Sequence, residues 1–152
     1  MLRYISKEKN QIIRVFIGLS LRGTDSAVYS LTFQNTENMK TITFPPQVMQ
    51  LNRPKKMNGH DYATVCLIKR IVEIVINSKK RTELVVLHVY TGSDTTSFIW
   101  ETEYKKDHKL PEVYEWNEIA ALTGNNHIDL YLYGEDSILN GINNVEKKKI
   151  KR

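Results

Sequence analysis

Four histidines, a single cysteine and a basic C-terminal run are the side chains of this 152-residue chain whose chemistry is easiest to name. His60, His88, His108 and His127 are scattered along the sequence, and none stands at a spacing used for metal ligation. Cys66 has no partner for a disulfide, so disulfide scaffolds and cysteine-rich metal sites are excluded, and a reducing compartment is the natural setting. It lies among apolar residues and reads as a small core residue. His88 falls inside an apolar strand, where a hydrogen-bonded structural role is expected. Gly92-Ser93 does not belong to a phosphate-binding loop, and neither G-x-S-x-G nor a dinucleotide fingerprint occurs. Asp129, Tyr131 and Tyr133 share one strand face, where they either line a groove or pack under a helix.

Charge is concentrated at one end. Five of the 22 basic residues are Lys147, Lys148, Lys149, Lys151 and Arg152, which leaves 17 basic against 17 acidic residues in the rest of the chain. The net charge of +5 is therefore a property of the tail, which can attract phosphates, act as an import signal or simply solubilise the end. The length and the 41% hydrophobic content suit one domain, residues 1–146, followed by the basic tail 147–152. No apolar run is long enough to span a bilayer, and the first residues lack the apolar core of a secretory signal. A cytoplasmic protein is expected, with nuclear entry possible through the tail.

The elements that must position these groups follow in chain order. Val15, Ile17, Leu19 and Leu21 alternate with Phe16, Gly18 and Ser20, the pattern of a half-buried strand starting near Arg14. Ala27, Tyr29, Leu31 and Phe33 give a second strand, and Met39 to Phe44 a third that ends at Pro45-Pro46. Short polar turns join them as an antiparallel meander. The apolar face of Val65, Leu67, Ile68, Ile71, Val72, Val75 and Ile76 predicts a helix over Asp61–Asn77. Glu83 to Tyr90 is almost wholly apolar and predicts a central strand covered on both faces. A strand-helix-strand order favours parallel pairing through a right-handed crossover. Helices are expected over Thr95–Tyr104 and from Pro111 to Thr123, a last strand over 128–133, and a weak helix over Ser137–Lys149.

This order resembles a ribonuclease H domain. Thr91-Gly92-Ser93-Asp94 after a buried strand is similar to the family's Thr-Asp-Ser step into its second helix. Glu112 to Gly124, a short Asn/His turn and the strand 127–133 are similar to its third helix and fifth strand. The resemblance implies an α/β fold with a five-stranded mixed sheet, three antiparallel strands then two parallel, and helices on both faces. It also implies divalent metals held by clustered acids that cut RNA in RNA–DNA hybrids.

The acids do not follow that pattern throughout. The first belongs midway along the first strand, where Gly18 and Ser20 stand. Asp61 fits the second, early in the long helix. Gly92 stands near the third, with Asp94 two residues on. Asn143 and Asn144 are nearest the fourth, with Glu135 and Asp136 earlier. Asp61 and Asp94 also suit helix starts, Asp94 as an N-cap. The family's basic protrusion corresponds to residues 100–109. Lys105, Lys106 and Lys109 there can neutralise phosphates, and Trp100 and Tyr104, four apart on a helix, can stack on a base or sugar; a solvated loop with Trp100 in the core is the competing reading.

The leading expectation is a catalytically degenerate ribonuclease H-like domain, without catalytic residues, resident metal or other cofactor, that binds RNA, an RNA–DNA hybrid or a protein partner and no membrane. The second is a Mg²⁺-dependent nuclease with a displaced site of Asp61, Asp94 and Asp136. The third is a protein-interaction module.

Overall fold

The computed structural model describes residues 11–23, 25–51, 58–104 and 114–134. Three long strands come first: β1 (Gln11–Arg22), β2 (Ser26–Asn35) and β3 (Thr41–Gln50). Helix α1 (Gly59–Ser78) leads to β4 (Val85–Tyr90); a short α2 (Asp94–Phe98) widens into a π-helical segment (Ile99–Tyr104), and α3 (Tyr114–Asn125) precedes β5 (Ile128–Tyr133). The sheet order is β3-β2-β1-β4-β5, with β1–β2 and β2–β3 antiparallel and β1–β4 and β4–β5 parallel. The expected mixed five-stranded sheet is present. The expected helix over Ser137–Lys149 and the tail 147–152 lie outside the described residues.

One sheet face is apolar throughout. Val15, Tyr29, Leu31, Val85, Leu87, Val89, Ile128, Leu130 and Leu132 are buried there, against Val65, Ile68, Ile71 and Val72 of α1 and Trp116 and Ile119 of α3. The period-two alternation of each strand and the wide apolar face of α1 produce this layer. β4 is covered less than its sequence suggests: Val85, Leu87 and Val89 are buried, whereas Val86, His88 and Tyr90 are only half-buried on the opposite face. An apolar run did not require two covered faces here, because aromatic neighbours on that second face shield one another.

β3 also departs from expectation, running on through Pro45-Pro46 to Gln50. Tyr29 pairs with Gln47 and Leu31 with Phe44, so the two prolines bulge out opposite Ser30 alone. β3 is an edge strand, where a residue lacking N–H forfeits no ladder bond.

Helices α1 and α3 are tied by Tyr62, a largely buried residue whose hydroxyl donates to Glu115 Oε1 at 2.8 Å. Burial, and then the bond to Glu115, push the Tyr62 phenol well above its ordinary pKa. A raised phenol pKa leaves stability unchanged at neutral pH and erodes it once the unfolded chain begins to ionise, above about pH 10. Tyr62→Phe should therefore destabilise by about 1–2 kcal/mol at pH 7. The gap between wild type and variant should narrow in urea titrations as the pH rises beyond that value.

Candidate functional site

The middle of β1 and the C-terminal end of its parallel neighbour β4 form the place where the sequence resemblance puts its chemistry. Phe16 pairs with Tyr90; two residues further on, the strands carry Gly18 and Gly92. Gly18 pairs with Ser30 across β2, and a Cβ added to it would stand 2.7 Å from Ser30 Oγ. Gly18 is exposed, and the Ser30 hydroxyl, the end of a side chain able to rotate, is the atom it would meet. At Gly92 an added Cβ would meet the His60 ring at an ordinary 3.5 Å.

Asp61 is brought to this end by the first turn of α1, where its charge opposes the helix dipole. It does not cap the helix. Asn58 does, with its side-chain oxygen accepting from the N–H groups of His60 (2.8 Å) and Asp61 (3.3 Å). The Asp61 carboxylate instead receives Ser93 Oγ–H at 2.7 Å. Ser93 Oγ also lies 2.6 Å from Thr96 Oγ1 and accepts the Thr96 N–H at 3.1 Å. A serine has one hydroxyl proton, and an ionised carboxylate can only accept, so Ser93 donates to Asp61 and Thr96 donates to Ser93. Thr91 closes the cluster, its Oγ1 accepting from Ser93 N at 2.9 Å.

Ser93, not Asp94, is the N-cap of α2, a correction to the expected role of Asp94. Ser93 is buried and aimed at the free N–H of Thr96, while Asp94 is the exposed first residue of the helix. The signal was the serine three residues before Thr96, a spacing typical of a cap. Asp94 packs against Gly134, where any added Cβ would collide with its carboxylate and lie 2.7 Å from its Cα. Asp136 lies outside the described residues.

Paired divalent ions need several oxygen ligands close together. Among the described residues no group of three His, Cys, Asp or Glu side chains converges to hold a metal ion. Gly18 supplies no oxygen from a side chain, and one Asp61 oxygen already accepts from Ser93. The described residues do not fit a two-ion centre.

The expected binding group is split by the structure. Trp100 is 2% exposed, stacks on Trp116 with ring centroids 5.7 Å apart, and donates Nε1–H to Leu130 O at 2.8 Å. It is a core residue and is not placed to stack on a base or sugar, which corrects that expectation. Beside it, Glu101 accepts the Leu132 N–H at 2.9 Å. Together the two side chains occupy backbone groups on the outer edge of β5, which protects that edge from pairing with another strand. The π-helical winding of residues 99–104 sets these neighbours side by side over β5. Tyr104 ends that segment; Lys105, Lys106 and Lys109 lie outside the described residues.

The second sheet face carries an aromatic ladder that spacing alone revealed only in part. Phe16, Tyr90 and Tyr133 are in register on β1, β4 and β5 and stack at 4.9 and 4.8 Å. His88 Nδ1 lies 2.8 Å from Tyr133 Oη, giving His88 the hydrogen-bonded structural role expected of it. Tyr131 stacks on His88 and donates to Asp129 Oδ2 at 2.9 Å.

Strand order, parallel pairing of β1 with β4 and of β4 with β5, and the crossover through α1 together define a ribonuclease H-like fold. The N-terminal RNase H domain of Rv2228c from Mycobacterium tuberculosis, solved as a fusion with maltose binding protein, is similar over 84% of this chain and 85% of that one, with a TM-score of 0.54 and 9% identity. The foamy viral protease-reverse transcriptase solved with an RNA/DNA hybrid is similar over 91% of this chain and 19% of that one, with a TM-score of 0.50 and 11% identity. At these identities the likeness is one of fold. No protein-family model and no curated protein matches the sequence. No helix among the described residues is long and apolar enough to cross a membrane.

Proposed function

We propose that this chain is a catalytically degenerate ribonuclease H-like domain that binds nucleic acid as a structural or regulatory component. One observation carries the reading: where the fold would gather metal-binding carboxylates, β1 carries Gly18, which has no side chain, and Asp61 is held by Ser93. A carboxylate that receives a buried hydroxyl and stands without an acidic neighbour on β1 is a structural link between α1 and α2, not half of a metal clamp. Nucleic acid is the favoured partner because the fold is shared with a reverse transcriptase solved on an RNA/DNA hybrid, and because Lys105, Lys106 and Lys109 cluster in sequence after the π-helical segment. In this reading Tyr104 adds an aromatic contact and Trp100 takes no part.

The test is binding of the full chain to a labelled RNA–DNA hybrid at increasing salt. Affinity should fall steeply with salt, and replacing Lys105, Lys106 and Lys109 by Gln should reduce the log–log slope by about 2–3, close to one for each phosphate no longer neutralised. If removing residues 147–152 alone erased binding, the folded body would have no such role. If the full chain bound no oligonucleotide even at low salt, a protein-interaction module would replace the present reading.

A further inference from the structure

The apolar sheet face is wider than the helix that covers it. At the end where β2 turns into β3, Ile13, Phe33, Ile42 and Phe44 face Ile74 and Val75 of α1 across a cavity of about 290 Å³. Phe33 and Phe44 form one wall, their rings tilted at 45° with centroids 5.4 Å apart. Ile42, 59% exposed, stands at the mouth. The interior offers an apolar surface and nothing to hydrogen-bond.

The rim is different in kind. Asn35 at the end of β2, and Asn38 and Lys40 between β2 and β3, line it together with Ser78. Asn35 Oδ1 accepts the Glu37 N–H at 2.9 Å, and Asn38 Oδ1 accepts the Lys40 N–H at 2.9 Å. Each amide therefore has its acceptor engaged by the turn and its NH₂ left as a donor. Met39, at φ 58°, completes the tight turn that sets Lys40 at the rim. Ser78 Oγ–H is spent on Ile74 O at 2.8 Å. Among the described residues no carboxylate lines the cavity; Glu37 belongs to the turn but not to the lining. An apolar hollow with one ammonium and two amide donors at its lip is complementary to a single ligand chemistry.

We propose that this cavity binds a small amphiphilic carboxylate, with its hydrocarbon body between α1 and the β1–β3 strands and its head group at Lys40. The size follows from volume. A 150 Å³ apolar cavity holds one benzene, so this one takes a body of roughly ten carbon atoms. The site is remote from Asp61 and Ser93 and is independent of the nucleic-acid reading.

Titration calorimetry and amide chemical-shift mapping of the full chain, with decanoate, decanol and decylammonium as probes, test it. Decanoate should bind saturably at one site per chain, shift amides of residues 33–44 and 74–78, and bind more tightly than decylammonium. Lys40→Gln should weaken decanoate about two- to fivefold and leave decanol unchanged. Ile42→Glu, at an exposed position that leaves the core intact, should weaken decanoate more than decanol. Equal binding of the three probes, indifference to both substitutions, shifts centred elsewhere, or no saturable binding would each overturn the proposal.

Discussion

Gly134→Ala is expected to lower the stability of the domain by about 2–4 kcal/mol, a large effect for one added methyl group. Gly134 follows β5 directly and is buried against the first turn of α2. A Cβ at this position would overlap the Asp94 carboxylate and stand 2.7 Å from Asp94 Cα and 2.8 Å from Ser97 Oγ. Side chains at the contact can swing aside, but the Asp94 backbone is less free, because the chain just before it is held by two links. Thr91 N–H donates to Tyr133 O at 2.7 Å, and Ser93 is bonded to Asp61 at 2.7 Å. Relief of the clash must shift α2 off the end of β5 and strain one of those two links. Denaturant unfolding measures the loss. The Ser93 and Thr96 amide resonances should move in the variant, and a stability unchanged from wild type would show that the approach is loose.

Trp100→Phe is the second substitution with a large expected effect, about 2–4 kcal/mol. The change deletes the ring that stacks on Trp116 in favour of a smaller one and leaves Leu130 O without its donor at a buried position. Trp116→Phe provides the control. Trp116 is fully buried in the same stack, but its Nε1 has no hydrogen-bond partner among the described residues. The volume change is the same, and no hydrogen bond is broken. The Trp100 variant should be less stable than the Trp116 variant by about 1–2 kcal/mol, the cost of stranding a buried carbonyl. It should also aggregate sooner on partial unfolding, because part of the protection of the β5 edge is gone. Equal destabilisation of the two variants would mean that the bond to Leu130 contributes nothing.

Much of this architecture was legible in the sequence, and the exceptions share a cause. Val15, Ile17 and Leu19 announce the buried face of β1 because alternation is a local property, and the run from Val65 to Val75 announces α1 for the same reason. Pro45-Pro46 was misleading because a proline stops a central strand but not an edge strand, and edge position is decided by the whole sheet. Trp100 was ambiguous because burial depends on Trp116 and Leu130, which lie 16 and 30 residues away. The widening of residues 99–104 into a π-helix had no sequence signal of its own.

The candidate site divides in the same way. That Gly18 and Gly92 carry no acid could be read directly. That Asp61 would be bound by Ser93, and that Ser30 would stand beside Gly18, required the tertiary arrangement. The cavity at Lys40 was invisible for a further reason. Its walls come from apolar residues on four elements, each of which reads as ordinary core until α1 is seen to stop short of the sheet edge.

Incubation of the purified full chain with an end-labelled RNA–DNA hybrid and Mg²⁺ or Mn²⁺ tests the degenerate reading most directly. The expected outcome is hybrid recovered intact at every metal concentration, with no saturable Mn²⁺ binding by calorimetry. Metal-dependent strand cleavage that disappears in Asp61→Asn or Asp136→Asn would contradict it, and would restore this carboxylate from a tether between two helices to a ligand of a working metal centre.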